Sequence, residues 1–175
     1  QYQTSAREYV MADGQDALAV TLVLQQENGV EIRKVFEFTR NNYQVKMHYD
    51  IINRGTAPWS GLMYAQLKRD SSKDPSASNQ GFGMSTFLGG AWWTKDKPYN
   101  KLKLEKFAEE PVKESVTGGW AAMVQHYFVA AWVPDAKSSN VFVTRKSGDD
   151  NIIGYTGAPI VIAPGAQQSI NATLY

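Results

Sequence analysis

Residues 43–51 read Tyr43-Gln44-Val45-Lys46-Met47-His48-Tyr49-Asp50-Ile51, an unbroken alternation of apolar and polar side chains. A strand imposes a period of two because successive side chains leave the backbone on opposite faces, so this stretch predicts a half-buried strand with His48 on its polar face. Working outward toward the N-terminus, Ile32, Phe36 and Phe38 share a face with Lys34, and Leu18, Val20, Leu22 and Leu24 make a third run. Glu27-Asn28-Gly29 lies between those two runs. Asn-Gly tolerates the positive φ of a tight turn, so 17–26 and 30–39 are expected to pair as an antiparallel hairpin. Toward the C-terminus similar punctuation recurs at Asn53-Arg54-Gly55, Gly148-Asp149-Asp150 and Pro164-Gly165, with strand-like runs at 61–69, 140–146, 151–156, 158–163 and 168–174. Many short strands without alternating amphipathic helices predict an all-β sandwich or barrel.

Helix is expected in one or two short pieces at most. Residues 104–110, Leu-Glu-Lys-Phe-Ala-Glu-Glu, suit two turns stopped by Pro111. Within 118–133 the spacing of Trp120, Val124, Phe128 and Trp132 fits a helix or a strand, and the aromatic and branched residues following Gly118-Gly119 favour two strands with a bend. The stretch 70–83, DSSKDPSASNQGFG, holds only Ala77 and Phe82 as apolar residues and reads as a long loop. No linker divides the sequence, so residues 1–175 are expected to form a single domain.

Composition narrows the function. Eighteen Lys and Arg against 17 Asp and Glu leave a net charge of +1, without the basic surplus a nucleic-acid binder needs. The absence of Cys excludes disulfides, thiolate metal sites and a Cys nucleophile, and the 2 histidines cannot supply three imidazoles to a catalytic zinc. No metal or other cofactor is expected. The most apolar segment carries Gln125 and His126 in its middle and stops at Pro134, short of the ~18–20 residues that span a bilayer.

His126 suits either acid–base chemistry or a partly buried, hydrogen-bonded role, the second being favoured, and His48 reads as solvated. Glu109-Glu110 and Asp149-Asp150 are adjacent in sequence, so on a strand each pair would face opposite ways. Asp13-Gly14-Gln15-Asp16 reads as a turn, and 81–86 lacks the third glycine of a dinucleotide loop. No catalytic residue is therefore expected. Trp92, Trp93 and Tyr99, with lysines 95, 97, 101, 103 and 106, form a basic aromatic segment that fits a protein-binding patch, a sugar platform, or core aromatics with a lysine rim.

The stretch Gly118-Gly119-Trp120-Ala121-Ala122-Met123-Val124-Gln125-His126-Tyr127-Phe128-Val129-Ala130-Ala131-Trp132-Val133-Pro134 resembles the GGW-x-A-M-x-Q-x-YF-x-x-AW-x-P signature of the large periplasmic domain of the YidC-type insertases. Residues 36–49 are similar to that family's hairpin. Thr86-Phe87 with Gly89-Gly90-Ala91 is similar to its TF-x-G-A element, and Ile153-Gly154-Tyr155 through Pro164-Gly165 to its C-terminal strands.

The resemblance implies a mostly antiparallel β-supersandwich of the galactose mutarotase type, and a non-enzymatic periplasmic domain tethered to the bacterial inner membrane. It further implies contact with ancillary subunits of the Sec translocon, and nascent membrane proteins handled by a membrane core absent from this chain. The start at Gln1 without methionine agrees with a fragment. The partner surface is expected within 84–133, at Phe87, Trp92, Trp93, Tyr99, Lys101 and Lys103, because strands beside a long loop are often sheet edges. Trp120 and Trp132 are assigned to the core. The alternative is a carbohydrate-binding or mutarotase-like supersandwich with a peptide or glycan in a cleft, for which His126-Tyr127-Phe128 is a poor echo of the mutarotase H-x-Y-F motif.

Overall fold

The computed structural model describes residues 1–72 and 87–175. Most of the polar stretch 70–83, the 81–86 glycine segment and Thr86 lie outside the described residues. In chain order the strands are β1 (Gln3–Thr4), β2 (Ala17–Gln25), β3 (Val30–Thr39), β4 (Val45–Asn53), β5 (Trp59–Gly61), β6 (Tyr64–Arg69), β7 (Gly89–Trp92) and β8 (Asn100–Lys103). They continue with β9 (Lys113–Thr117), β10 (Ala121–Val124), β11 (Val129–Pro134), β12 (Ser139–Ser147), β13 (Asp150–Gly157), β14 (Ile160–Ile162) and β15 (Gln167–Leu174). The chain forms two compact units, one from Gln1–Met63 with Pro159–Tyr175 and the other from Tyr64–Ala158.

In the first unit β1, β2, β3, β4 and β15 lie side by side, antiparallel throughout, and β5 pairs with β14 in a separate ribbon. The 17–26 and 30–39 hairpin forms as the sequence predicts, Leu24 opposite Ile32 and Leu18 opposite Phe38. Its loop is closed by Gln26 N–H to the Val30 carbonyl at 2.9 Å and Gly29 N–H to the Gln26 carbonyl at 3.1 Å. Gly29 alone takes the positive φ, +82°; Asn28 does not.

The strand read from 43–51 is β4, shifted so that Tyr43 falls outside it and is exposed. Register puts Ile32 across from Ile51 and Phe36 across from Met47 on one face, and Arg33 across from Asp50 on the other. Val30, Ile32, Ile51 and Ile162 form the buried cluster, packed by Leu24, Tyr49, Trp59, Ile160, Ala166 and Ile170.

Two polar residues are buried in this unit with satisfied side chains. Asn53, 0 % exposed, donates through Nδ2 to the carbonyls of Ala57 and Ile162, both at 2.9 Å, and its Oδ1 accepts from Gly55 N–H at 3.0 Å. Its backbone bonds Ala166 and Gly165, so one side chain and its own peptide join the end of β4 to both neighbouring segments.

Glu31 accepts from Gln25 Nε2 at 2.6 Å and Arg33 Nε at 2.5 Å. The Gln25 amide first, and then the guanidinium, hold its carboxyl below the ordinary 4.5. A depressed carboxyl stabilises the fold fully above its ordinary pKa, and that contribution drains away as pH falls through the folded value. Acid titration of unfolding free energy is expected to show wild type losing stability below about pH 4.5 more steeply than Glu31→Gln.

The second unit stacks two four-stranded antiparallel sheets, ordered β11-β10-β7-β8 and β6-β13-β12-β9. Between them lie Phe107, Phe142 and Ile153, all buried, and a Cβ added at Gly90 would lie 2.8 Å from both Phe107 Cζ and Ile153 Cδ1. The two helical turns expected at 104–110 shrink to a single 3-10 turn, Leu104–Lys106, with Phe107 N–H bonded to the Leu104 carbonyl at 3.1 Å. Leu104 and Phe107 are both buried, and three residues per turn stacks them directly in line on one side.

The 118–133 segment is two strands, β10 and β11, as expected, with Ala121 opposite Trp132. Trp120 and Trp132 are half-buried rather than enclosed, and Trp132 Nε1 donates to the Gln66 carbonyl at 3.2 Å. Among the described residues no helix is long and apolar enough to cross a membrane.

Candidate interaction surface

The basic aromatic segment spans β7, a tight loop and β8. Asn100 fixes the loop, its Nδ2 reaching the Lys97 carbonyl at 2.8 Å and Thr94 Oγ1 at 3.2 Å. β8 pairs only with β7 among the described residues and so forms an outer strand of its sheet. In the register Lys103 stands opposite Gly89 and Lys101 opposite Ala91, while Trp92 stands opposite Asn100.

This register separates residues that the sequence reading grouped. Successive strand residues alternate faces, so Trp92 shares the face of Gly90, which Phe107 and Ile153 fill, and the two lysines stand on the other. Trp92 is correspondingly buried, 6 % exposed, its indole N–H donating to Glu114 Oε2 at 3.0 Å. The expectation of Trp92 as a surface anchor is corrected: it belongs to the core.

Trp93 is half-buried, with its backbone N–H on the Trp120 carbonyl at 3.0 Å and its ring so close to Gly119 that a Cβ there would lie 2.9 Å from Cε3. Tyr99 is 52 % exposed, its ring 6.1 Å from that of Trp120 and tilted by 45°. Lys101 Nζ lies 5.3 Å from the centre of the half-buried Phe87 ring, within cation–π range. Lys103 and Glu105, both well exposed, approach to 3.7 Å. What stands together at this edge is Phe87, Tyr99, Lys101 and Lys103, with Trp93 behind.

The histidines fall in different surroundings. His48 is not simply solvated: Nδ1 lies 3.6 Å from Glu37 Oε1 and Nε2 3.4 Å from Asp50 Oδ2. His126 is half-buried at the β10–β11 turn, stacked on Tyr127 with ring centres 3.9 Å apart. Among the described residues no group of three or more His, Asp or Glu side chains is arranged to hold a metal ion.

The sequence reading gives Tyr127 and Phe128 no place on the surface, yet the structure leaves them 72 % and 73 % exposed. The signal was available: residues 115–134 contain no Asp, Glu, Lys or Arg.

Strand order, antiparallel pairing and, among the described residues, the near absence of helix define an all-β sandwich of the galactose mutarotase kind. The fold agrees with solved structures at low identity. An α-galactosidase from Geobacillus stearothermophilus in complex with stachyose superposes with a TM-score of 0.64 at 9% identity, over 99% of this chain and 26% of that one. A galactose mutarotase related enzyme from Lactobacillus acidophilus gives 0.57 at 8% identity, over 99% and 70%.

The YidC periplasmic domain family matches residues 1–175, and the chain belongs to that family. Membrane protein insertase YidC of Pseudomonas syringae pv. syringae is 46% identical over 175 residues, and that of Alcanivorax borkumensis is 40% identical over 179. Each match covers 99% of this chain and 31% of the relative, so the chain spans about a third of the length of the curated relatives it matches. The family is that of a periplasmic domain.

Proposed function

We propose that residues 1–175 act as one accessory module of a membrane-protein insertase, anchored at the inner membrane and working through protein–protein contact with ancillary subunits of the Sec translocon. Nascent membrane segments would be received by parts of the longer protein outside this chain. The observation that supports this reading is the outer strand β8, with Lys101 and Lys103 on one face and the exposed Tyr99 just before it. An outer strand offers unpaired backbone groups to a partner strand, and Tyr and Phe give rigid contact area at low entropic cost. The lysines act on encounter more than on the final free energy, so association is salt-sensitive.

The test is site-directed crosslinking of the full-length protein to the translocon subunits. Tyr99→Ala is expected to weaken contact about 30-fold, the loss of one anchor of about 2 kcal/mol. Lys101→Ala with Lys103→Ala is expected to slow association and remove its salt dependence. Both leave thermal stability nearly unchanged, whereas Trp92→Ala destabilises the domain first. Undiminished crosslinking in Tyr99→Ala and in the lysine pair would place the partner elsewhere.

A further inference from the structure

Gln125-His126-Tyr127-Phe128 forms the tip of the β10–β11 hairpin, closed by Gln125 N–H to the Phe128 carbonyl at 2.8 Å. Tyr127 and Phe128 are the two adjacent aromatic residues there, both nearly three-quarters exposed, and Val129 follows at 49 %. Two rings exposed at consecutive positions of one hairpin tip concentrate apolar surface there, unlike the scattered single exposures that any protein surface shows. The hairpin carries no charged side chain along 115–134, in a chain where 20% of residues are charged. Its turn hydrogen bond is internal to the backbone, so entering a less polar medium leaves that pair satisfied. The aromatic stack of His126 on Tyr127 braces one ring, which lowers the entropy lost on burying it.

We propose that the β10–β11 tip is a lipid-interface anchor, with Phe128 entering the acyl boundary and the Tyr127 hydroxyl remaining at headgroup level. Aromatic residues with one wet end concentrate at that depth of a bilayer. A protein partner would ordinarily be met by some rim of charge, and this hairpin has none. The lipid surface is at hand, because the family is a periplasmic domain whose relatives are membrane protein insertases three times the length of this chain. Affinity from two rings is weak in isolation. Tethering to the same membrane raises the effective lipid concentration enough to make it count. The inference uses different residues from the β8 edge and stands whether or not that edge binds a translocon subunit.

The test uses the chain of residues 1–175 with phosphatidylcholine vesicles at millimolar lipid. Wild type is expected to co-sediment, with little change when salt is raised or phosphatidylglycerol is added. The double variant Tyr127→Ser with Phe128→Ser is expected to lose about tenfold in partition coefficient, and Tyr64→Ser, an exposed aromatic on β6, to lose nothing. The chain has no Cys, so Tyr127→Cys carries a single environment-sensitive fluorophore. Its emission is expected to shift to the blue on vesicles, and that of a label on Tyr64→Cys is not. Three results overturn the proposal: no partition of wild type, partition equal in the double variant, or partition abolished by salt with no shift at position 127. If the double variant loses its strand circular dichroism, the position-127 fluorophore still decides.

Discussion

Phe107→Ala is expected to lower the unfolding free energy of the second unit by about 4 kcal/mol. The ring is 0 % exposed and lies between the two sheets, under Gly90 and beside Ile153, where neighbouring backbone has little freedom to collapse into the space left behind. Removing it forfeits both the transfer free energy of a whole phenyl group and the contacts its lining loses. Filling the site from the opposite side also harms. Gly90→Val must displace Phe107 Cζ and Ile153 Cδ1, each 2.8 Å from the first added atom, at a cost of about 2 kcal/mol. Urea unfolding followed by tryptophan fluorescence measures both. Adding Phe107→Ala to Gly90→Val should cost less than the sum of the single changes, because valine then occupies part of the cavity. Strict additivity would mean that the two residues do not share one space.

The second large effect is at Asn53. Asn53→Ala is expected to cost about 3 kcal/mol, because it strands the Ala57 and Ile162 carbonyls and the Gly55 N–H at once. Asn53→Asp is the sharper variant. It keeps the shape but turns two donors into a carboxylate oxygen aimed at two carbonyls, so at neutral pH it should be worse than alanine. Protonation restores one donor and relieves the buried charge. The aspartate protein is therefore expected to gain stability relative to the alanine protein as pH falls through the carboxylate range. Thermal unfolding of the three proteins across acid and neutral pH measures this crossing. Parallel curves for the two variants would show that the side chain is hydrated and not buried.

Strand positions were legible in the sequence because alternation and turn chemistry are local. The 17–26 and 30–39 hairpin and β4 follow from period-two patterning, the hairpin broken at Asn-Gly, and the paired strands within 118–133 from aromatic and branched residues after Gly118-Gly119. The candidate surface was legible only in part. Trp92 and Trp93 are neighbours in sequence, and that Trp92 faces the core depends on its pairing with Asn100 while Ala91 pairs with Lys101, a register no local pattern specifies. The two turns expected before Pro111 shorten to one at 104–106, because Leu104 and Phe107 are three apart, a spacing both helix types share until burial selects one. His48 looked solvated because its neighbours Glu37 and Asp50 come from different strands, one of them across the sheet.

The first unit is discontinuous: its chain departs at Met63 and resumes at Pro159. Its strand β15 pairs with β4 from Gln167 opposite Ile52 to Leu174 opposite Val45, and β14 pairs with β5. Vectorial synthesis therefore delivers the meander β2–β4 early and its closing strand only after the whole of Tyr64–Ala158 has been made. Meanwhile the segment Tyr64–Ala158 holds its own two sheets and can settle first. The meander must wait with β4 as a bare margin, a long-range closure that is slow and prone to recruit foreign strands. A nascent chain halted before residue 167 would be the species most in need of a chaperone. Late C-terminal truncations should aggregate through the first unit while leaving the second folded.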